Sequence, residues 1–130
     1  MTKMFFVQLQ ASQDSNATLA ISFEQLLAEL EKLPRMFVEW DGSFVWRGGD
    51  SKESFSNNEG GGNGDAWQLD GMVYDLLGAV RYVELKGCCP SQPWSEFMRA
   101  LDCQNQVLVV HHVNEGRFES LDMFCETHIR

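Results

Sequence analysis

The segment from residue 35 to residue 50, RMFVEWDGSFVWRGGD, predicts a β-hairpin from which the rest of the fold can be built. Asp41-Gly42 between two apolar runs is a strong signal for a two-residue turn. Such a turn pairs Val38 with Val45 across the hairpin. One face then carries Met36, Val38, Trp40 and Val45, and the other carries Phe37, Phe44 and Trp46. Both faces are therefore apolar, whereas a sheet with one solvated face shows polar residues on that side.

Four other segments carry strand patterns of their own. Residues 4–10 alternate their apolar side chains, and residues 67–75 and 80–86 form two similar runs around DLLGA. Residues 107–113, VLVVHHV, are almost continuously apolar, which is typical of a strand that is buried on both faces. Gly71 inside the second of these runs predicts a β-bulge or a close backbone approach.

Residues 22–33 predict the first helix, because apolar side chains recur there at helical spacing on one face. Ser22 is in place to cap this helix, and Gln25, three residues later, completes the pattern of a capping box. Pro34 ends the helix because it lacks the backbone donor and constrains the residue before it.

Residues 93–101 predict a second helix, in which Trp94 begins an apolar stripe at helical spacing. Pro93 suits the first turn of this helix, and Ser91 or Gln92 would be its cap. The final segment, residues 118–130, fits either a returning strand or a short helix.

These segments predict a single α+β domain that spans residues 1–130. The order β-α-β-β-β-β-α-β, with a further strand or short helix at the C-terminal end, favours one mostly antiparallel sheet. We expect about six or seven strands in this sheet, with two helices packed on one face. Residues 48–65 contain six glycines and no periodicity, so we expect a flexible Gly-rich loop there.

The chain is acidic, with 19 acidic against 10 basic residues and a net charge of −9. A surface of this charge repels phosphate backbones and anionic membranes, so we expect neither nucleic acid nor a membrane as a partner. No apolar run is long enough to span a membrane, and residues 1–10 show no cleavage pattern of a signal peptide. These features favour a cytoplasmic location, where the four cysteines remain thiols.

Cys88 and Cys89 stand side by side before Pro90. Neighbouring residues of a strand point to opposite faces, and the Cys-x-x-Cys spacing of redox enzymes is absent. Cys89 precedes a helix N-terminus, where the helix dipole lowers the pKa of a thiol, but free cysteines are more commonly buried. We therefore expect these cysteines to pack within the structure.

His111 and His112 also face opposite ways if residues 107–113 form a strand. Either histidine together with Cys125 and His128 would supply ligand types that suit zinc, but their spacing matches no known ligand signature. We therefore predict no metal, no cofactor and no catalytic residue. An alternative pocket would place Cys89, His111 and His112 beneath the 48–65 loop, with a thiol beside an imidazole base.

The predicted face with Phe37, Phe44 and Trp46 needs a cover, because exposed aromatic patches mark interaction sites. The sequence thus favours a non-enzymatic interaction module that forms a homodimer, or binds another protein, through these three residues. One alternative is a small ligand-binding protein or enzyme that uses the Cys89, His111 and His112 pocket. The other is an acidic inhibitor or immunity-type protein that mimics a polyanion for a basic partner.

Overall fold

The computed structural model describes residues 4–12, 17–49, 66–102 and 107–129. The predicted α+β class and order of elements are confirmed, and the final segment forms both a strand and a short helix. Residues 50–65, which carry most of the predicted Gly-rich loop, lie outside the described residues. The elements are β1 (Phe5–Gln10), α1 (Phe23–Glu31), β2 (Met36–Val38), β3 (Ser43–Gly48), β4 (Trp67–Leu76), β5 (Ala79–Gly87), α2 (Ser91–Ala100), β6 (Val109–His112), β7 (Arg117–Ser120) and α3 (Leu121–His128).

The described strands form one seven-stranded antiparallel sheet in the order β2-β3-β4-β5-β1-β6-β7. Strands β2 to β5 follow one another as a meander, and β6 pairs with β7 as a second hairpin. Strand β1 joins the two groups, because it pairs with β5 on one side and with β6 on the other.

All three described helices contribute to a single core on one face of the sheet. Leu26 of α1, Phe97 of α2 and Phe124 of α3 are completely buried there, and the sheet contributes every second side chain, such as Val7 and Leu85. The intervening side chains lie on the opposite side, which we call the helix-free face. This face carries Phe6, Gln8, Phe37, Val45, Arg47, Asp70, Met72, Tyr74, Tyr82, Glu84, Lys86, His111 and Phe118.

The hairpin of β2 and β3 forms where it was predicted, but its register differs by one residue. Val38 pairs with Phe44 and not with Val45. The cause is a three-residue loop in place of the expected two-residue turn, since the backbone N–H of Glu39 donates to the carbonyl of Ser43 over 2.9 Å. Gly42 ends this loop with a φ of 101°, a conformation that favours glycine.

A shift of one residue moves every side chain of a strand to the other face of the sheet. Phe44 and Trp46 therefore lie in the core, 2% and 1% exposed, whereas Phe37 is 58% exposed on the helix-free face. The indole N–H of Trp46 donates to the carbonyl of Pro34 over 2.9 Å, which satisfies its polar atom within the protein. The prediction that Phe37, Phe44 and Trp46 share one face is wrong.

The sequence predicted the start of α1 correctly and the start of α2 incorrectly. The Ser22 hydroxyl accepts a hydrogen bond from the backbone N–H of Gln25 over 3.1 Å, so the predicted cap of α1 is present. Helix α2 begins earlier than predicted, with Pro90 as its N-cap residue and no side-chain capping bond. None of the helices in the described part of the chain is both long and apolar enough to cross a membrane.

The strand predicted at residues 107–113 is shorter and less buried than expected. Strand β6 alternates between buried Val110 and His112 and half-buried Val109 and His111, while Val107 is 81% exposed before the strand begins. The prediction that this strand is buried on both faces is wrong, because β6 is next to the edge strand and the helices cover only one of its sides.

Candidate functional site

The three residues of the predicted pocket lie in three different surroundings. Cys89 is buried in the core after the end of β5. His112 pairs with Val7 on the helix-covered face, and His111 pairs with Gln8 on the helix-free face. The described residues therefore do not bring these three side chains together.

Cys89 is poorly suited to act as a nucleophile. Desolvation by burial, followed by the influence of Cys88 and Glu96, raises the pKa of its thiol to about 12. Its Sγ donates instead to the carbonyl of Pro90 over 3.5 Å. Since the thiolate is the reactive form, this thiol is inert at neutral pH and serves packing at the start of α2.

His112 forms a buried pair with a carboxylate at the edge of the sheet. Its Nε2 lies 2.5 Å from Oε2 of Glu119, and Arg117 Nη1 lies 3.8 Å from the other oxygen of that carboxylate. The His112 ring also packs against Phe124 and His128, with ring centroids 5.8 and 5.6 Å away. These contacts join the β6–β7 hairpin to α3.

The described residues around the His112–Glu119 pair form neither a cluster of metal ligands nor a large cavity. Among the described residues, no group of three or more His, Cys, Asp or Glu side chains could hold a metal ion. The cavity that His112 shares with His128 and Asn114 has a volume of about 120 Å³. Pockets for small molecules are usually about 300–1,000 Å³, so we assign the pair a structural role.

The helix-free face carries an ordered layer of aromatic and polar side chains. Tyr74 and Tyr82 pack across β4 and β5 with ring centroids 4.6 Å apart, and the His111 and Phe118 rings stack at the same distance. Between these ring pairs, Gln8 of β1 bonds to both neighbouring strands. Its Nε2 donates to Glu84 of β5 over 3.3 Å, and its Oε1 lies 3.2 Å from His111 Nδ1 of β6.

Charge on the helix-free face differs from that of the whole molecule. Arg47, Arg81 and Lys86 lie over the rings of Phe37, Tyr82 and Phe6, at 5.9, 5.8 and 5.6 Å from the ring centroids. The acidic side chains of this face are Asp70 and Glu84. The two cations of this face, Arg47 and Lys86, against these two carboxylates make it close to neutral, although the chain carries a net charge of −9.

Comparisons with models of protein families, with curated proteins and with solved structures find no significant match to this chain. The candidate site is therefore defined by its own geometry, as the helix-free face of the sheet.

Sequence reasoning missed Tyr74, Tyr82 and Phe118 as members of this site. The signal was the alternation within the strands. Leu69 and Val73 are buried in the core, so the even-numbered neighbour Tyr74 belongs to the other side of the strand. By the same alternation in β5, Tyr82 points to the face of the sheet opposite to that of its neighbour Val83.

Proposed function

We propose that this chain is a non-enzymatic interaction module that forms a homodimer through the helix-free face of its sheet. The observation that carries the proposal is an aromatic, nearly neutral sheet face on a strongly acidic protein. Half-buried rings on an uncovered sheet are typical of surfaces that another protein covers.

Charge favours a second copy of the chain as the partner. Two molecules of net charge −9 repel each other, and the helix-free face, with two cations and two carboxylates, adds little to that repulsion. A two-fold interface places the same patch of both subunits in contact, so it needs cations and carboxylates on one patch. Lys86 and Glu84, two residues apart on the same face of β5, meet that need.

The size of the face also suits a dimer. Seven strands at about 4.8 Å spacing give a width of about 30 Å, and strands of about six residues give a length of about 20 Å. The product, roughly 600 Å² in projection, approaches the surface of about 800 Å² that each partner contributes to an interface of standard size.

The proposal includes a cytoplasmic location and no catalytic role. In the described part of the chain, Cys88 and Cys89 are free thiols, the state that a reducing compartment maintains. The residues suggested for thiol chemistry are separated in space, and the pKa of Cys89 is raised by burial. Both observations support a binding role for the domain.

The test changes the face without changing the core. We expect native mass spectrometry and sedimentation to give twice 14.8 kDa for the wild type. Tyr82→Glu and Phe118→Glu, two separate variants, should be monomers because each buries a further negative charge at the interface. Trp40→Glu is the matched control, since Trp40 is 86% exposed in the β2–β3 loop and the added charge is the same.

This control variant should remain dimeric, and circular dichroism checks that all three variants are folded. A wild type that stays monomeric at about 100 μM, well above the Kd expected of a specific dimer, contradicts the proposal. Dimers of unchanged affinity in both face variants would contradict it equally.

A further inference from the structure

Two loops place exposed apolar side chains at one end of the sheet. Leu77, in the turn between β4 and β5, is 98% exposed, and Trp40, in the loop between β2 and β3, is 86% exposed. They are the two most exposed large apolar side chains in the described part of the chain. We call the region formed by these two loops and the first residue of α1, Phe23, the loop end.

The two loops meet at Phe23. A Cβ added at Gly42 would lie 3.1 Å from Cε1 of Phe23, so the β2–β3 loop packs against this ring. The backbone N–H of Phe23 donates to the carbonyl of Gly78, in the other loop, over 2.9 Å. Trp40 is two residues from Gly42, and Leu77 is next to Gly78. At about 3.3–3.6 Å per residue, both exposed residues therefore start within about 7 Å of a residue that contacts Phe23.

The leucine at position 77 is unfavourable for the fold. Leu76 pairs with Ala79, so Leu77 and Gly78 form a two-residue turn in which their φ values are 56° and 91°. A turn with positive φ at both positions favours asparagine before glycine, because the left-handed conformation disfavours most side chains with a Cβ. At 98% exposure the leucine also gains no packing within its own chain. Such locally unfavourable conformations are concentrated at functional sites.

The loop end carries an excess of negative charge. Four exposed carboxylates belong to its two loops, to the residue that precedes the β4–β5 turn by two positions, and to the first turn of α1. They are Glu24, Glu39, Asp41 and Asp75. The Asp75 carboxylate also accepts a hydrogen bond from the backbone N–H of Gly78 over 3.3 Å, which holds it beside Leu77.

The cations of the described residues lie mainly at the opposite end of the sheet. Arg47 is near the last residue of β3, and Lys86 is near the last residue of β5, about 23 Å along that strand from the turn. Lys32 follows the last residue of α1. Arg81 is closer to the turn, but its guanidinium lies over the Tyr82 ring, 5.8 Å from the centroid. The loop end therefore combines exposed apolar side chains with carboxylates.

We infer that the loop end binds a cationic amphipathic segment of another protein, whose apolar side chains contact Trp40 and Leu77 and whose lysines or arginines face the surrounding carboxylates. Tryptophan is enriched among the residues that dominate binding energies, and complementary charge favours association with the correct partner. A helical segment of about ten residues is about 15 Å long, which is enough to reach both loops.

The charge of the loop end favours this partner over two others. A second copy of the chain would bring like charges together, and anionic lipid headgroups would be repelled by the same carboxylates. The inference does not rest on self-association, because Trp40 and Leu77 lie in loops beyond the paired strands that form the helix-free face. It can therefore be tested in the Phe118→Glu variant as well as in the wild type.

The experiment uses a matched pair of fluorescently labelled peptides. The cationic probe is an amphipathic helix of leucine and lysine, and the anionic probe has glutamate in place of every lysine. We expect saturable binding of the cationic probe to one site, measured by fluorescence anisotropy, and no binding of the anionic probe. Trp40→Ser should weaken binding of the cationic probe by about tenfold or more. In NMR spectra, the cationic probe should shift the indole N–H signal of Trp40 and leave that of buried Trp94 in place.

Leu77→Asn separates binding from folding. Asparagine suits the left-handed position of the turn, so this variant should be at least as stable as the wild type in thermal unfolding. Its affinity for the cationic probe should nevertheless fall by about tenfold, because the apolar contact is lost. A structural role for this leucine would not produce that combination.

Two double variants separate the site from general charge attraction. Glu24→Gln/Glu39→Gln removes two carboxylates of the loop end and should weaken binding of the cationic probe by about three- to tenfold. Glu31→Gln/Glu126→Gln removes the same charge from exposed positions at the end of α1 and on α3. At about 150 mM salt, where charges more than about 8 Å apart are screened, this control should bind like the wild type.

Four results would overturn the inference. These are absence of saturable binding, unchanged affinity in both Trp40→Ser and Leu77→Asn, an equal loss of affinity in both double variants, and binding to neutral phosphatidylcholine vesicles that requires Trp40. The last result would assign the exposed side chains to a lipid surface. Phe118→Glu should bind the cationic probe like the wild type even though it is monomeric, so failure of this inference is distinguishable from failure of the proposed dimer.

Discussion

The Cys89 side chain shows how its surroundings decide what a residue can do. In the sequence it looks available, since it precedes a helix whose N-terminus would stabilise a thiolate. In the structure Cys89 is completely buried. Desolvation there outweighs the effect of the helix dipole, so the pKa of the thiol rises to about 12. Cys89 is therefore part of the core.

This raised pKa predicts a loss of stability in alkali. The unfolded thiol titrates near its ordinary value of 9.0, whereas the folded thiol titrates at about 12. The neutral thiol thus stabilises the fold fully below pH 9, and this stabilisation is lost as the pH rises from 9 towards 12. The free energy of unfolding should fall by about 1.4 kcal/mol per pH unit in that range.

Urea unfolding at increasing pH measures this slope. Cys89→Ala is the matched variant: it should be less stable at neutral pH because of the cavity, yet its stability should fall less steeply in alkali. Tyr74, whose pKa is raised by burial and by Glu84, contributes equally to both proteins. Identical slopes for the two proteins would show that Cys89 titrates normally.

At the scale of elements, β3 and β4 fit together through a ring above a glycine. Phe44 and Gly71 are direct partners in this pair of strands. A Cβ added at Gly71 would lie 2.1 Å from Cζ of Phe44, so the ring occupies the space of the missing side chain. The close approach at Gly71 is made by a side-chain ring and not by a backbone as predicted, and the irregularity of β4 lies further on, between Tyr74 and Asp75.

Gly71→Ala should destabilise the protein by about 1–3 kcal/mol, because the methyl group and the Phe44 ring compete for one space. The same substitution should cost less in a Phe44→Leu background. A double-mutant cycle by urea unfolding measures this coupling, expected at about 0.5–3 kcal/mol. A parallel cycle of Gly71→Ala with Val110→Ala, on a distant strand, should be additive. Additivity in both cycles would show that the ring does not depend on the glycine.

Elements with local signals could be predicted from the sequence, and contacts between elements could not. Helix α1 begins at its cap Ser22 and ends before Pro34, and both signals act within a few residues. The register of the β2–β3 hairpin depends on whether Asp41-Gly42 belongs to a two-residue or a three-residue loop, and both loops accept this dipeptide. Because the loop has three residues instead of two, Phe44 and Trp46 lie in the core and not in the candidate site.

The same reasoning explains which part of the candidate site could be anticipated. The need for a cover over the sheet followed from apolar residues on both sides of the predicted strands, and the helix-free face carries such residues at Phe6 and Tyr82. The rest of this face depends on β3, β4 and β5 lying side by side, which brings Val45, Asp70 and Lys86 into one row from distant parts of the chain. Pairing between strands that are distant in the chain leaves no local pattern in the sequence.

At the scale of the whole molecule, the net charge of −9 governs how two copies meet. The proposed dimer is held by apolar contacts, while long-range repulsion opposes it. Raising the salt concentration screens that repulsion over a Debye length of about 8–10 Å at ordinary ionic strength. We therefore expect the dimer Kd to fall as salt rises from about 20 mM to about 300 mM.

Sedimentation velocity across a salt series measures this dependence. The Arg47→Gln/Lys86→Gln variant, which removes two cations, should show weaker dimerisation at low salt and a steeper recovery with added salt. A wild-type Kd that rises with salt would mean that ion pairs between subunits hold the interface, and would remove the argument from aromatic contacts.

The position of β1 between β5 and β6 has a consequence for synthesis on the ribosome. Phe5 pairs with Gly87, and Val7 pairs with His112, so both partners of β1 emerge long after it. At about 5–20 residues per second, β1 waits several seconds with Val7 and Leu9 unpaired, while the β2–β5 meander can close by local contacts. The first described strand to be translated is thus among the last to gain both neighbours, and during that interval it is the segment that chaperones would have to protect.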